Sequence, residues 1–219
     1  ILAIFEVTFG LLLLAFVTSK LISLKQNVIM GEIYELSLQE RIHALRSSLI
    51  LFRQHLTQLN EKTETNKLKK SDASDLYNSL SSLEETLYRI NLLLKRSGHT
   101  FTKSFPPQDL ELILRSVVQS FEKIMDTIQL LTKFSYDWKH EFVVQVTKRC
   151  LKFDRELFDE KNLHLLSNKA RVDLKEKNEV VTALLWTEIN KTSKKEKKKK
   201  EKVKKRGVEN KSVEKINKK

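Results

Sequence analysis

The chain has 219 residues and a formal net charge of +13, with four glycines, two prolines and one cysteine. So little turn-forming punctuation argues against sheets and hairpins, while the many Leu, Lys, Glu and Ser residues argue for long helices. The lone Cys150 excludes an intrachain disulfide and suits a reducing cytosol. The charge is unevenly placed. Residues 191–219 hold 15 Lys/Arg against 4 Asp/Glu, a net of +11, which leaves +2 for the other 190 residues. High basicity is a property of the tail.

In chain order, Ile1 to Val17 is too apolar for a solvated helix, and from Ile1 to Leu24 only Glu6 and Lys20 are charged. At about 1.5 Å per residue this stretch reaches across roughly 30 Å of hydrocarbon, with Lys20 snorkelling toward the headgroups. No basic stretch precedes it, which argues against a secretory signal. A buried core helix is the alternative, because the uncharged run Val7 to Ser19 is short for a span. Lys20, Lys25, Arg41, Arg46 and Arg53 all follow the run, which places that side in the cytoplasm. The first residue is Ile rather than Met, as expected of a piece of a longer protein.

Leu38, Ile42, Leu45, Leu49, Phe52, Leu56 and Leu59 then alternate steps of four and three, an unbroken heptad seam. No proline separates it from the apolar run, so one helix is expected from the membrane to about Asn60. Glu61 to Lys70 reads as a loop. Ser71, Asp72, Ser74 and Asp75 offer N-caps for a second seam, Leu76, Leu80, Leu83, Leu87, Ile90 and Leu94. Lys95 and Arg96 suit the end of that helix and Gly98 its cap. A loop with Phe101 and Phe105 leads to Pro106-Pro107, which suits a helix start.

A third helix carries Leu110, Leu114, Val117, Phe121, Ile124, Ile128 and Leu131. A fourth, about 137–158, carries Val143, Val146, Cys150, Phe153 and Leu157 on one face. The break near Phe134 is weak, so the two could form one bent helix. A last helix, roughly 168–189, carries Leu174, Val181, Leu184, Leu185 and Trp186. Each has one apolar face and none stands alone, so an all-α fold with a helical bundle and antiparallel neighbours is expected. The expected division is a transmembrane helix at 1–24, a juxtamembrane heptad helix at 25–60, a cytoplasmic bundle at 71–190 and a disordered Lys-rich tail at 191–219. The heptad seams read first as core. The sharper reading of Leu38 to Leu59 is a coiled coil that sets subunit number, although Leu and Ile at its first positions with Leu and Phe at the fourth do not fix that number.

Candidate chemistry is sparse. Cys150 sits in a helical apolar pattern and reads as a buried structural thiol. His43, His55, His99, His140 and His164 show no metal-ligand spacing. No phosphate loop, nucleophile elbow or catalytic dyad appears, so neither an enzyme nor a cofactor is expected. The tail Lys194 to Arg206 reads as a solvated end that could bind anionic lipid headgroups. It lacks an aromatic residue for base stacking, which disfavours nucleic acid.

Ile4-Phe5-x-Val7-x-x-Gly10-x-x-x-x-Ala15 and Ser19-Lys20-x-x-Ser23-x-x-Gln26 resemble the inner, pore-lining helix of two-transmembrane potassium channels. Arg41-Ile42-x-x-Leu45-Arg46 is similar to the juxtamembrane segment of simple prokaryotic members of that group. The resemblance covers about 50 residues, under a quarter of the chain. It implies a homo-oligomer, tetrameric if a channel. It also implies that Gly10 is a gating hinge and that Leu11, Ala15 and Ser19 line the pore. Gly lacks a Cβ and lowers the local cost of bending, which gives the hinge a physical basis. Glu6 lies roughly opposite Ala15 and near Gly10. It either forms a structural hydrogen bond behind the filter or, if the span starts at Val7, sits among headgroups.

The departure is the filter. Potassium selectivity needs a loop like Thr-Val-Gly-Tyr-Gly, and the glycines at 10, 31, 98 and 207 stand alone. In the family that loop lies just before the inner helix, upstream of Ile1, so potassium reaches this protein only through a filter absent from the chain. The expected function is the C-terminal portion of a potassium channel subunit, in the cell membrane with its C-terminal region cytoplasmic. The alternatives are a membrane-anchored helical coiled-coil adaptor without transport activity and a soluble basic helical protein that binds nucleic acid.

Overall fold

The computed structural model describes residues 2–65, 72–100 and 106–191, with the side chains of 2–7, 72–73 and 96–100 excepted. No strand occurs among the described residues, which form six helices. The Glu6 side chain, the predicted loop at 101–105, residues 66–70 of the predicted 61–70 loop and the Lys-rich tail beyond 191 lie outside what is described, while Glu61 to Glu64, expected in that loop, continue the first helix.

Helix α1 (Leu2–Glu64) is 63 residues long and unbroken. It contains no proline, and Gly10 and Gly31 sit inside it without positive φ. The chain divides into two compact units, Ile1–Ala44 and Leu45–Lys219, so the division falls inside this helix. The expected bundle boundary at 71 moves accordingly: the last third of α1 belongs to the bundle.

In the second unit, Leu45, Leu49, Phe52, Leu56 and Leu59 of α1 are all buried. Each fully enclosed aliphatic side chain contributes about 1.5–3 kcal/mol, so the spacing of four and three is what docks this segment. Ile42 is buried as well and Leu38 is half-buried. A side chain enclosed by its own chain presents no surface to a symmetry mate. The seam expected to set subunit number is therefore core, the plainer of its two readings.

Helix α2 (Asp72–Thr100) buries Leu76, Leu80, Leu83, Leu87, Ile90 and Leu94. It runs through Gly98, which does not cap it. Its long partner is α4 (Glu141–Leu157). The Asn91 side-chain amide donates to the Phe153 carbonyl at 3.0 Å, and Arg149 spans both carboxylate oxygens of Glu84 at 2.6 and 3.0 Å. Cys150 is fully buried, its Sγ 3.7 Å from the Leu80 carbonyl oxygen, and burial pushes the thiol up.

Helix α3 (Pro107–Lys133) begins, as expected, with a proline in its first turn. It is buried on two faces, because Ile113, Ser116, Val118, Ser120 and Thr127 join the predicted seam. The polar members are satisfied locally. The Arg53 guanidinium of α1 donates to the Ser116 carbonyl and hydroxyl at 2.8 and 2.7 Å, and Thr127 donates to the Lys123 carbonyl.

The junction of α3 and α4 is a true break rather than a bend. Ser135 has φ of 59°, and the Tyr136 N–H reaches back to the Leu131 carbonyl at 2.9 Å. The Trp138 indole, 3% exposed, donates to Thr132 Oγ1 at 2.9 Å. A left-handed residue with a Cβ costs about 1–2 kcal/mol. Ser135→Gly is expected to raise the unfolding free energy by up to about 1 kcal/mol net, since glycine also loses more chain entropy. Denaturant titration of the full chain, followed by the Trp138 signal, measures it.

Short helix α5 (Glu160–Leu163) is capped by Asp159, whose carboxylate accepts from the Glu160 N–H at 2.9 Å. The Asn162 amide donates to the Glu156 and Leu157 carbonyls, satisfying orphan acceptors at the end of α4. Helix α6 spans 168–191. It buries Ala170, Leu174, Asn178, Leu185 and Ile189, with Val181 half-buried. Leu184 and Trp186, expected on its apolar face, are exposed at 50% and 40%.

Candidate functional site

Two regions carry features that core packing does not account for. In the first unit, every residue from 8 to 36 is exposed. Leu12, Leu14 and Phe16 expose 60–70% of their surface. From 8 to 19 this exposed surface carries no charge, and the helix is long and apolar enough to cross a bilayer. The Thr18 hydroxyl donates back to the Leu14 and Ala15 carbonyls at 2.7 and 3.0 Å, so it needs no water.

Gly10, Leu11, Ala15 and Ser19 all lie in this exposed segment. Leu11, Ala15 and Ser19 share one face, since each step of four residues advances about 40°. The helix continues through Gly10 without interruption, and a Cβ there would meet nothing within 4 Å. Packing within the chain therefore does not require glycine at this place. Of the remaining site residues, Leu38 to Leu59 lie on the buried side of α1, as described above.

The second region is a cleft of about 480 Å³ between α4 and α6. Asp154 is 1% exposed and Asn178 is 5% exposed, and the Asn178 amide donates to Asp154 Oδ2 at 2.8 Å. The Oδ1 atoms of both residues are buried with no donor among the described residues. Burial pushes the Asp154 carboxyl up to about 7, against the opposing pull of the Asn178 hydrogen bond and of Arg155.

Sequence reading passed over this pair, although a signal was present. Asp154 lies four residues after Cys150 and three before Leu157, on the α4 seam itself. Asn178 lies four residues after Leu174 on the α6 seam. A charged residue at a core position, facing an amide at another, marks a polar contact that fixes how two helices align.

At the rim, Lys175 binds Glu160 at 2.8 Å and the Arg155 guanidinium lies 5.4 Å from the centre of the Trp186 ring. Comparison of the chain with family models, with curated proteins and with solved structures finds no match to any of them.

Proposed function

We propose that the chain is a membrane-spanning helix joined to a cytoplasmic helical bundle, working as the inner helix and regulatory region of a potassium channel subunit. The observation that carries the membrane part is the change along α1. Its surface is apolar and exposed from 8 to about 24 and becomes an enclosed seam from Ile42. The channel part rests on the resemblance around Gly10, Ala15 and Ser19. In this reading Leu11, Ala15 and Ser19 face the pore of a homo-oligomer and the unbroken helix carries bundle movements to Gly10. The glycines of the chain stand singly, so ion-coordinating carbonyls have to come from outside these residues.

Gly10→Ala adds about 1 kcal/mol of preference for straight helix. In single-channel recordings of the full-length protein it should shift the open–closed equilibrium roughly fivefold toward the state with the straighter helix. Unchanged gating contradicts the hinge role; absence of any potassium current contradicts the channel reading altogether.

A second reading has an observation of its own. The seam from Leu45 to Leu59 is spent inside the chain, which favours a membrane-anchored helical scaffold that needs no subunit partners. A monomeric state in mild detergent, together with no flux from proteoliposomes, would select it.

A further inference from the structure

Beyond the stretch read as a span, α1 keeps large apolar side chains in the open. Ile22, Ile29, Ile33 and Leu36 expose between 43% and 62% of their surface, and Gln26 is exposed with them. These residues alternate steps of four and three, the period at which parallel helices pair. The stripe one residue back, Leu21, Lys25, Val28, Glu32 and Glu35, carries three charges, whereas this one carries none. It also avoids the side of α1 that the chain itself encloses. Ile33 is exposed and Ile42 is buried, and their separation puts them half a turn out of phase at about 100° per residue. Traced backward, the same spacing passes through Ser19 and Ala15, the face that the pore reading turns toward the symmetry axis.

We propose that copies of this chain associate in parallel through Ile22, Gln26, Ile29, Ile33 and Leu36 of α1. This seam rests on the reading of residues 8 to about 24 as a span, which holds every copy in one orientation. A second copy is the occupant that the pattern fits. In parallel copies Lys25 and Glu32 flank the stripe and meet Met30 and Ser37 across it, so no like charges are opposed. Gln26 is its one polar member, and a single polar residue at such a position sets register between identical chains. Hydrocarbon would leave the Gln26 amide unpaired, whereas its counterpart in a second copy answers both its donor and its acceptor.

The test is oxidative cross-linking of the full chain in membranes, with one cysteine introduced at a time. Ile29→Cys and Ile33→Cys should trap covalent dimers, because a disulfide forms only between closely facing side chains. Gly31→Cys and Glu35→Cys, turned away from the stripe, should not, and the enclosed Cys150 adds little background. The double variant Ile29→Asp, Ile33→Asp should reduce the mass found by light scattering in mild detergent to that of a monomer, with the Trp138 environment unchanged as the mark of a folded bundle. Three results overturn the proposal: no cross-link at 29 or 33, as when lipid or a different protein covers the stripe; equal cross-linking at all four positions; or an oligomer that survives the double variant. Cross-linking does not depend on conduction. A chain that cross-links at 29 and 33 but carries no potassium current keeps the seam and loses the channel reading, while a chain retained by membranes that fails to cross-link keeps the span and loses the seam.

Discussion

Asp154→Asn is expected to stabilise the bundle at pH 8 and to change it little near pH 4. Burial raises this carboxyl from 3.8 to about 7 in the folded chain. A folded-state value above the unfolded one means that folding retains a proton. Stability is then fully present below the unfolded value and falls as pH rises toward 7. The loss is about 1.4 kcal/mol for each pH unit separating the unfolded value from the folded one, with an upper bound of about 4 kcal/mol once the carboxyl is ionised. The groups around Asp154 are Arg155 on its own helix and Lys175, Asn178 and Glu179 on α6. Of the charged ones, Lys175 is already paired with Glu160. Asparagine is nearly isosteric, carries no charge to desolvate, and its carbonyl oxygen can keep accepting from the Asn178 amide. Unfolding of the full chain followed by tryptophan fluorescence measures the effect, since both tryptophans, Trp138 and Trp186, lie in the bundle. A stability difference between variant and parent that does not grow from pH 4 to pH 8 would contradict the assignment.

Leu14→Arg should have the other large effect. Arg at the centre of a spanning helix costs about 2.5–3.5 kcal/mol on insertion scales. The inserted fraction should therefore fall by roughly a hundredfold in the partition constant. Leu14 exposes 63% of its surface and contacts no core, so folding of the bundle should survive, with Trp138 reporting it. Alkaline extraction of membranes carrying the chain measures the retained fraction. Equal retention of the variant and its parent would place this segment outside the bilayer.

How much of this was readable in the sequence follows from what each helix buries. Seams of purely apolar residues, such as Leu76 to Leu94 and Leu45 to Leu59, announce themselves by spacing, and both are buried. Pro106-Pro107 likewise fixed the start of α3. Features that mix polar groups into the interior did not announce themselves. The second buried face of α3 runs through Ser116, Ser120 and Thr127, which look like solvent-facing residues until Arg53 and backbone carbonyls are found to satisfy them. Asp154 and Asn178 hold seam positions by spacing, but polar residues there do not by themselves tell a buried pair from a gap in the seam. Leu184 and Trp186 misled in the opposite direction: the α6 core face follows Leu174, Asn178, Leu185 and Ile189, and its polar member hid the true phase. The helix end expected near Asn60 lies at Glu64, but that its seam belongs to the bundle could not be read, because one heptad pattern serves equally for a coil between subunits and for docking within one chain.

The central claim is that residues 8 to about 24 of α1 cross a lipid bilayer with the bundle on the cytoplasmic side. Single cysteines at positions 14, 30 and 39, probed with a membrane-impermeant maleimide in oriented vesicles, test it most directly, and the enclosed Cys150 contributes little background. Position 14 should stay unlabelled from either side, while 30 and 39 should react from the cytoplasmic face alone. Labelling of position 14 as fast as position 39 would contradict the span, and reaction of position 39 from the opposite face would contradict the orientation.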